Sequence, residues 1–206
     1  MQAERHVRSQ AREDQIALAA EACFQRGGFH GTAMSEIAKQ AGVSVGQIYR
    51  HFTGKEDLIA TIVRRDMERT LALVESAFTA SDDKIATLVA QVRPAVERAA
   101  DPSWGRLMLE IAAEASRNPS VAKALQAVDE GARLRLRAIM RSINGPDCDP
   151  DEIEARMEVL TLLLEGLPWR MVRNPAMNLD RFTEHLRRLL GSLMLIAPAK
   201  GGRTSS

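Results

Sequence analysis

Within the eight residues from Ser44 to His51 the chain carries a serine, a glutamine, a tyrosine, an arginine and a histidine, and no acid. Side chains of these types can read a nucleic-acid duplex. Gln47 matches the donor–acceptor edge of adenine, and Arg50 matches guanine. Tyr49 can reach a phosphate or a thymine methyl, and Gly46 removes bulk that would hold the backbone off a groove floor. Lys55, at the start of a further helix, can join the free backbone donors there to clamp a phosphate. The same stretch also spells Gly42-Val43-Ser44-Val45-Gly46, the G-x-S-x-G pattern of a hydrolase nucleophile. That chemistry needs a strand before the serine and a sheet behind it, whereas a helical pattern precedes Ser44. Glycine-rich nucleotide loops and HExxH are absent as well, so no enzyme is expected.

For these side chains to share one face, two short helices must cross at a steep angle, and Met34–Phe52 has the parts. Met34, Ile37, Ala38 and Ala41 recur at helical spacing. Ala38 is small where the helices approach, and Gly42 tolerates the positive φ that the turn needs. Ser44 caps the second helix, and Ile48 anchors it inward with Val43 and Phe52. The opposite face then holds Ser44, Val45, Gly46, Gln47, Tyr49, Arg50 and His51. Upstream, Ile16, Ala19, Ala20, Cys23 and Phe24 predict a helix over Glu13–Gln25, ended by Gly27-Gly28, with Phe29 folding back. Thr32 is the expected N-cap of the next helix. Arg5, Arg8 and Arg12 precede or open the first helix and suggest a basic arm.

Downstream, the pattern predicts a long helix from Lys55 to about Phe78. Further helices follow at about 83–99, 103–116, 119–143, 151–173 and 179–196, separated by Asp-Pro, Asn-Pro and Asn-Gly-Pro signals. Pro94 predicts a kink or an early stop. The fold class is therefore all-α. Composition agrees: of 206 residues 45% are hydrophobic and only 4% aromatic, a mix that favours helix over sheet. Net charge is +1, so any DNA-binding surface must be a local patch. Residues 1–55 hold seven Lys/Arg against five acids. The opening MQAERHVRSQ has no apolar core of a secretory signal. No apolar run reaches the roughly 18 residues of a membrane span. Cys23 and Cys148 form no metal-ligand spacing, so neither metal nor cofactor is expected, and the chain is expected in the cytoplasm.

The run AGVSVGQIYRHFTGKEDLI, with Tyr49-x-His51-Phe52 and Lys55-Glu56-Asp57-Leu58 as its most specific parts, resembles the signature of TetR/AcrR-family transcriptional regulators. The resemblance is close over about residues 13–60 and otherwise rests on helix number and length. It implies an N-terminal three-helix helix-turn-helix domain over 1–57, a helical ligand-binding and dimerisation domain over 58–197, about nine helices in all, and a disordered tail at 198–206. By position it implies that Thr32 and Lys55 contact phosphate, and that Ser44, Val45, Gly46, Gln47, Tyr49, Arg50 and His51 form the recognition surface. Ala33 stands where the family often has a second threonine, and Gly46-Gln47 replaces a frequent Gly-Thr or Gly-Ser. The implied partners are double-stranded DNA with an inverted-repeat operator, a small-molecule effector, and a second copy of the chain.

Beyond Leu58 the residues themselves speak only of amphipathic helices. Met67, Leu71, Val74, Trp104, Leu107, Met108, Ile111, Val128 and Trp169 are expected toward the interior, where methionine and tryptophan suit an adaptable apolar pocket. Glu110, Glu114 and Glu165 lie beside apolar stripes, as solvated helix positions or as attractors of a cationic ligand. Met157, Leu160, Leu164, Phe182, Leu186, Leu189 and Leu193 follow the spacing of helix seams, within one subunit or, as the resemblance implies, across a dimer axis. The alternative to a DNA-binding repressor is a helical ligand carrier or protein adaptor, which leaves the Ser44–His51 face without a role.

Overall fold

The computed structural model describes residues 2–80 and 82–195. Among them are nine α-helices and no strand: α1 Gln2–Gly31, α2 Met34–Ala41, α3 Val45–Ile48, α4 Lys55–Ala80, α5 Lys84–Ala100, α6 Pro102–Ala115, α7 Pro119–Asn144, α8 Pro150–Arg173 and α9 Leu179–Met194. The predicted breaks fall where expected, and capping explains several starts. Asp83, Asp149 and Asn178 each accept a backbone N–H from the first turn of the helix that follows. Pro94 does not stop α5, which runs on to Ala100; the proline sits on the exposed side, where its ring meets solvent. The expected tail at 198–206 lies outside the described residues.

The chain divides into two compact units: the described residues of Met1–Glu68 with Pro102–Asp129, and those of Arg69–Asp101 with Glu130–Ser206. This differs from the expected boundary at residue 57. Leu58, Ile59 and Ile62 of α4 belong to the core of the first unit, and so do Trp104, Leu107 and Ile111 of α6 and Val121 of α7. They pack with Ile16, Ala20, Phe24, Ile37 and Ile48 of the first three helices. A three-helix start this short buries too little apolar surface to stand well alone, and α6 supplies the missing layer. The second unit has its own core, built on Val92, Val96, Met140, Ile153, Met157, Leu167, Leu186 and Leu190. Both cysteines are buried, and burial pushes the Cys23 thiol pKa up.

The first unit is organised around a break in α1. At Gly28 the backbone takes φ 72° and ψ 168°, a region open essentially to glycine alone. From there Phe29 turns back onto Phe24, with ring centroids 5.7 Å apart. α6 receives this turn with two carboxylates. Glu110 Oε2 accepts the Phe29 N–H at 2.8 Å. Glu114, only 4% exposed, lies 2.9 Å from His30 Nε2 and 2.6 Å from Arg117, and accepts from Asn118 at 3.1 Å. Both were expected as solvated positions or as a cation's counter-charge; they serve the protein's own backbone and side chains instead. The hydrogen bond from Asn118, with those from His30 and Arg117, holds the Glu114 carboxyl below the ordinary range.

Two outcomes follow. A Cβ at Gly28 would sit 2.8 Å from Glu110 Oε2, besides adopting the unfavourable backbone. Gly28→Ala should therefore lower stability by about 1–3 kcal/mol, read as a lower midpoint in urea unfolding. A carboxyl depressed in the folded state adds stability at pH values above its unfolded pKa, and that contribution disappears as pH falls through the folded one. Wild-type stability should therefore decline below about pH 4.3, the ordinary glutamate value, more steeply than that of Glu114→Gln in parallel melts. Equal slopes would rule out the assigned role of Glu114.

Candidate nucleic-acid interface

The turn between α2 and α3 is built by local chemistry. Gly42 ends α2 in the left-handed region, at φ 65° and ψ 34°, and Val43 N–H donates to Ala38 O at 3.0 Å, closing the helix end. Gln15 of α1 donates to Ala41 O at 2.7 Å, so the last carbonyl of α2 is satisfied from a second helix. Ser44 then starts α3: its hydroxyl accepts the Gln47 N–H at 3.2 Å, and Gln47 Oε1 accepts the Ser44 N–H at 2.9 Å. This is a reciprocal capping box. α3 closes at Ile48 and tightens into turns, in which His51 and Phe52 N–H both donate to Ile48 O at 2.9 Å. Ile48 is fully buried, as expected of the anchor, while Val43 and Val45 are packed against the core.

The segment is thus two-faced, and the structure sorts the expected contact residues unevenly. Tyr49 is 55% exposed, and Ser44, Gly46 and Arg50 are exposed beside it. A Cβ on Gly46 would meet nothing closer than Ser44 Oγ at 4.0 Å, so the space in front of this backbone is open. Gln47 is half-buried and holds the capping box. His51 is half-buried too, with Nδ1 3.2 Å from Glu13 of α1. Lys55 turns inward, donating to Phe29 O at 2.7 Å and Thr32 O at 3.1 Å, with its ammonium 4.7 Å from the Phe29 ring centre.

Thr32 departs furthest from expectation. It is 1% exposed, and its hydroxyl donates to Gly28 O at 2.8 Å, with Cys23 O at 3.2 Å. It does not cap α2, whose N-cap is Ala33 without a side-chain bond, and its hydroxyl is turned into the fold. The carbonyls beside the Gly28 break hold it instead. The expected basic arm is helical: α1 starts at Gln2, with Arg8 and Arg12 exposed and Arg12 donating to Gln15 at 2.9 Å.

The expected effector-pocket and interface residues fall in several different surroundings. Trp104, Leu107 and Ile111 are core residues of the first unit, with Met108 against them. Leu71 and Val74 are buried, and Met67 and Val128 are half-buried. Trp169 is 55% exposed and not interior. Two surface clefts of about 280 Å³ each are lined by Gly27–Gly31, Glu110, Ala113 and Arg117, and by Gln15, Leu18, Ala19, Gln40 and Ala41; of these residues Glu110 was weighed as a ligand contact and the others were not. Of the expected dimer residues, Met157 and Leu186 belong to the core of the second unit, with Leu160, Leu164, Phe182 and Leu193 packed against it. Leu189 alone is exposed, at 42%. The exposed large apolar residues of α8 are Trp169 together with Val159, Leu162 and Val172, the last three of which the sequence reading did not single out.

Among the described residues no His/Cys/Asp/Glu cluster could hold a metal, and no helix is long and apolar enough to cross a membrane. Residues 16–62 match the family profile described as bacterial regulatory proteins, tetR family. Residues 82–195 match the one described as BetI-type transcriptional repressor, C-terminal. The chain is 34% identical over 121 residues to the HTH-type transcriptional regulator UidR of Escherichia coli (strain K12), covering 57% of this chain and 59% of UidR, less than two thirds of that relative's length. It is 26% identical to the HTH-type transcriptional repressor AcnR of Corynebacterium jeikeium, covering 79% of this chain and 82% of AcnR. Among solved structures, GusR of Salmonella enterica superposes with a TM-score of 0.69 at 29% identity, covering 89% of this chain and 95% of GusR. FadR of Bacillus subtilis, described in complex with stearoyl-CoA, superposes with a TM-score of 0.66 at 20% identity, covering 86% of this chain and 97% of FadR.

Proposed function

Because the chain belongs to the TetR family of bacterial regulators, we propose that it is a homodimeric repressor that holds an inverted-repeat operator and lets go when a small apolar or amphipathic molecule binds. It is a DNA-binding transcriptional regulator, and the observation that carries the finer reading is the exposed pair Tyr49 and Arg50 beside Gly46, on a helix-turn-helix whose other side is anchored by Ile48. One such segment covers only a few base pairs. A two-fold pair of them doubles the contact and makes the two half-sites mirror the symmetry of the protein. Repression is supported by the match of the C-terminal half to a repressor-type domain. An amphipathic effector is supported by the same fold holding stearoyl-CoA in the Bacillus FadR. Release then requires that the effector bind the DNA-incompetent state more tightly than the competent one.

A dimer face is supported by α8. Ala155, Val159, Leu162, Gly166 and Trp169 are all exposed and fall on one side of that helix, opposite Ile153, Met157, Leu160 and Leu167, which face the core of the second unit. Exposed apolar side chains aligned in this way mark an interaction surface. The small Ala155 and Gly166 allow close approach along it.

Selection from a random DNA pool with the purified protein should yield an inverted repeat. Arg50→Ala should lose about 10- to 100-fold in affinity and relax one base position per half-site, and Tyr49→Ala should weaken binding too. Binding that is salt-sensitive but indifferent to sequence would remove the base-reading role from this face. For the dimer, Leu162→Arg combined with Trp169→Arg should give a monomer by light scattering with helicity retained, and operator binding should drop with it. Met157→Ala, on the inward side, should instead cost about 2–5 kcal/mol of stability and leave the folded protein dimeric.

A further inference from the structure

We infer that Gln47 is a positioning residue of the reading face and not a base reader, so that base choice falls to Arg50 with Tyr49 beside it. This rests on the DNA-reading assignment above. A glutamine recognises adenine through two atoms together, Oε1 accepting from N6 and Nε2 donating to N7. Here the amide is turned back onto its own helix start, with Oε1 accepting the Ser44 N–H at 2.9 Å and the Gln47 N–H held by Ser44 Oγ at 3.2 Å, so its two polar atoms are not free to align together on one base edge. The remaining Nε2 is a lone donor. Adenine N7, guanine N7 and O6 and thymine O4 all accept such a donor, so alone it cannot distinguish those bases.

Turning Gln47 outward would also undo the segment that presents it. α3 has only four helical residues, far too few for a helix to hold its own shape, and the Ser44 N–H would lose its partner. The neighbouring polar groups are committed in the same way. His51 lies against Glu13 of α1, and Lys55 against the carbonyls of Phe29 and Thr32. Among the described residues Tyr49 and Arg50 alone on this segment combine a long polar side chain with an exposed position and no side-chain partner. Three residues with the right chemistry for DNA thus fix the frame, and two are left to read.

The test compares wild type, Gln47→Ala, Gln47→Glu and Arg50→Ala on the operator selected by wild type and on every single-base-pair substitution of one half-site. Affinities come from fluorescence anisotropy, and thermal melts confirm folding. The glutamate variant keeps an acceptor for the Ser44 N–H, so it guards against loss of fold in the alanine variant. The expected result is that Gln47→Ala weakens all sites by the same factor, about three- to tenfold as for a lost cap, with the preferred base unchanged at every position. Gln47→Glu should likewise leave the preferences in place, while Arg50→Ala flattens one position. A shift of one position from adenine to cytosine in Gln47→Glu, the change expected when a carboxylate replaces an adenine-reading amide, overturns the inference. So does a single flattened position, or unchanged affinity, in Gln47→Ala. If wild type selects no sequence at all, the DNA-reading assignment itself fails and takes this one with it.

Discussion

The end of α1 governs the first unit. At the Gly28 break the carbonyls of Cys23, Gly28, Phe29 and Thr32 and the N–H of Phe29 meet side chains, as buried backbone groups near an irregular helix end require. Each is met from a different part of the chain. Thr32 covers the Gly28 carbonyl, with Cys23 O in reach of the same hydroxyl. Lys55, from the first turn of α4, takes the carbonyls of Phe29 and Thr32, and Glu110 of α6 takes the Phe29 N–H. Three helices, α1, α4 and α6, and the link into α2 are thereby fastened at one point, and the crossing of α2 and α3 is built onto a base that is already fixed.

On the proposed reading, that fastening explains why the Ser44–His51 face is so sparsely equipped. A short recognition segment cannot supply both its own rigidity and a full set of readers. The capping box consumes Gln47, the contact with α1 consumes His51, and the junction with α4 consumes Lys55. Glycine at position 46 leaves the approach open, which suits a face that reads with few groups at close range. Precision is gained at the cost of contacts, since a reader on a loosely held turn would lose orientation and, with it, discrimination between bases.

Local features of the sequence were legible because their causes are local. Gly42 ends α2 in the left-handed region, Ser44 caps α3 and Ile48 is buried, each determined by neighbours within a few residues. Helix limits after residue 80 were legible from proline and capping residues for the same reason. Thr32 and Lys55 were assigned to DNA by their place in the family pattern; the carbonyls that hold Lys55 lie 23 and 26 positions away, and those beside Thr32, only 4 and 9 positions back, become its partners through the break at Gly28, which no helical spacing rule reveals. The same holds for Glu110 and Glu114, whose α1 partners are 81 and 84 positions distant. On α8 the difficulty was different. Its apolar residues surround most of the helix, so periodicity gives no preferred side, and Trp169 and Met157 could be placed on either face only once the core was known.

The division into units carries a consequence for regulation. α6 was expected among the effector helices, yet its apolar side, Trp104, Leu107 and Ile111, belongs to the same core as Ile37 and Ile48 of the helix-turn-helix. Closely packed interiors resist small deformation and shift between discrete arrangements. A molecule that displaces α6 must therefore displace that core with it, or break the bonds from Glu110 and Glu114 to the turn after Gly28. In either case the strain would fall on the core that also holds Ile37 and Ile48, inside one compact unit, and the proposed release of DNA would need no separate relay.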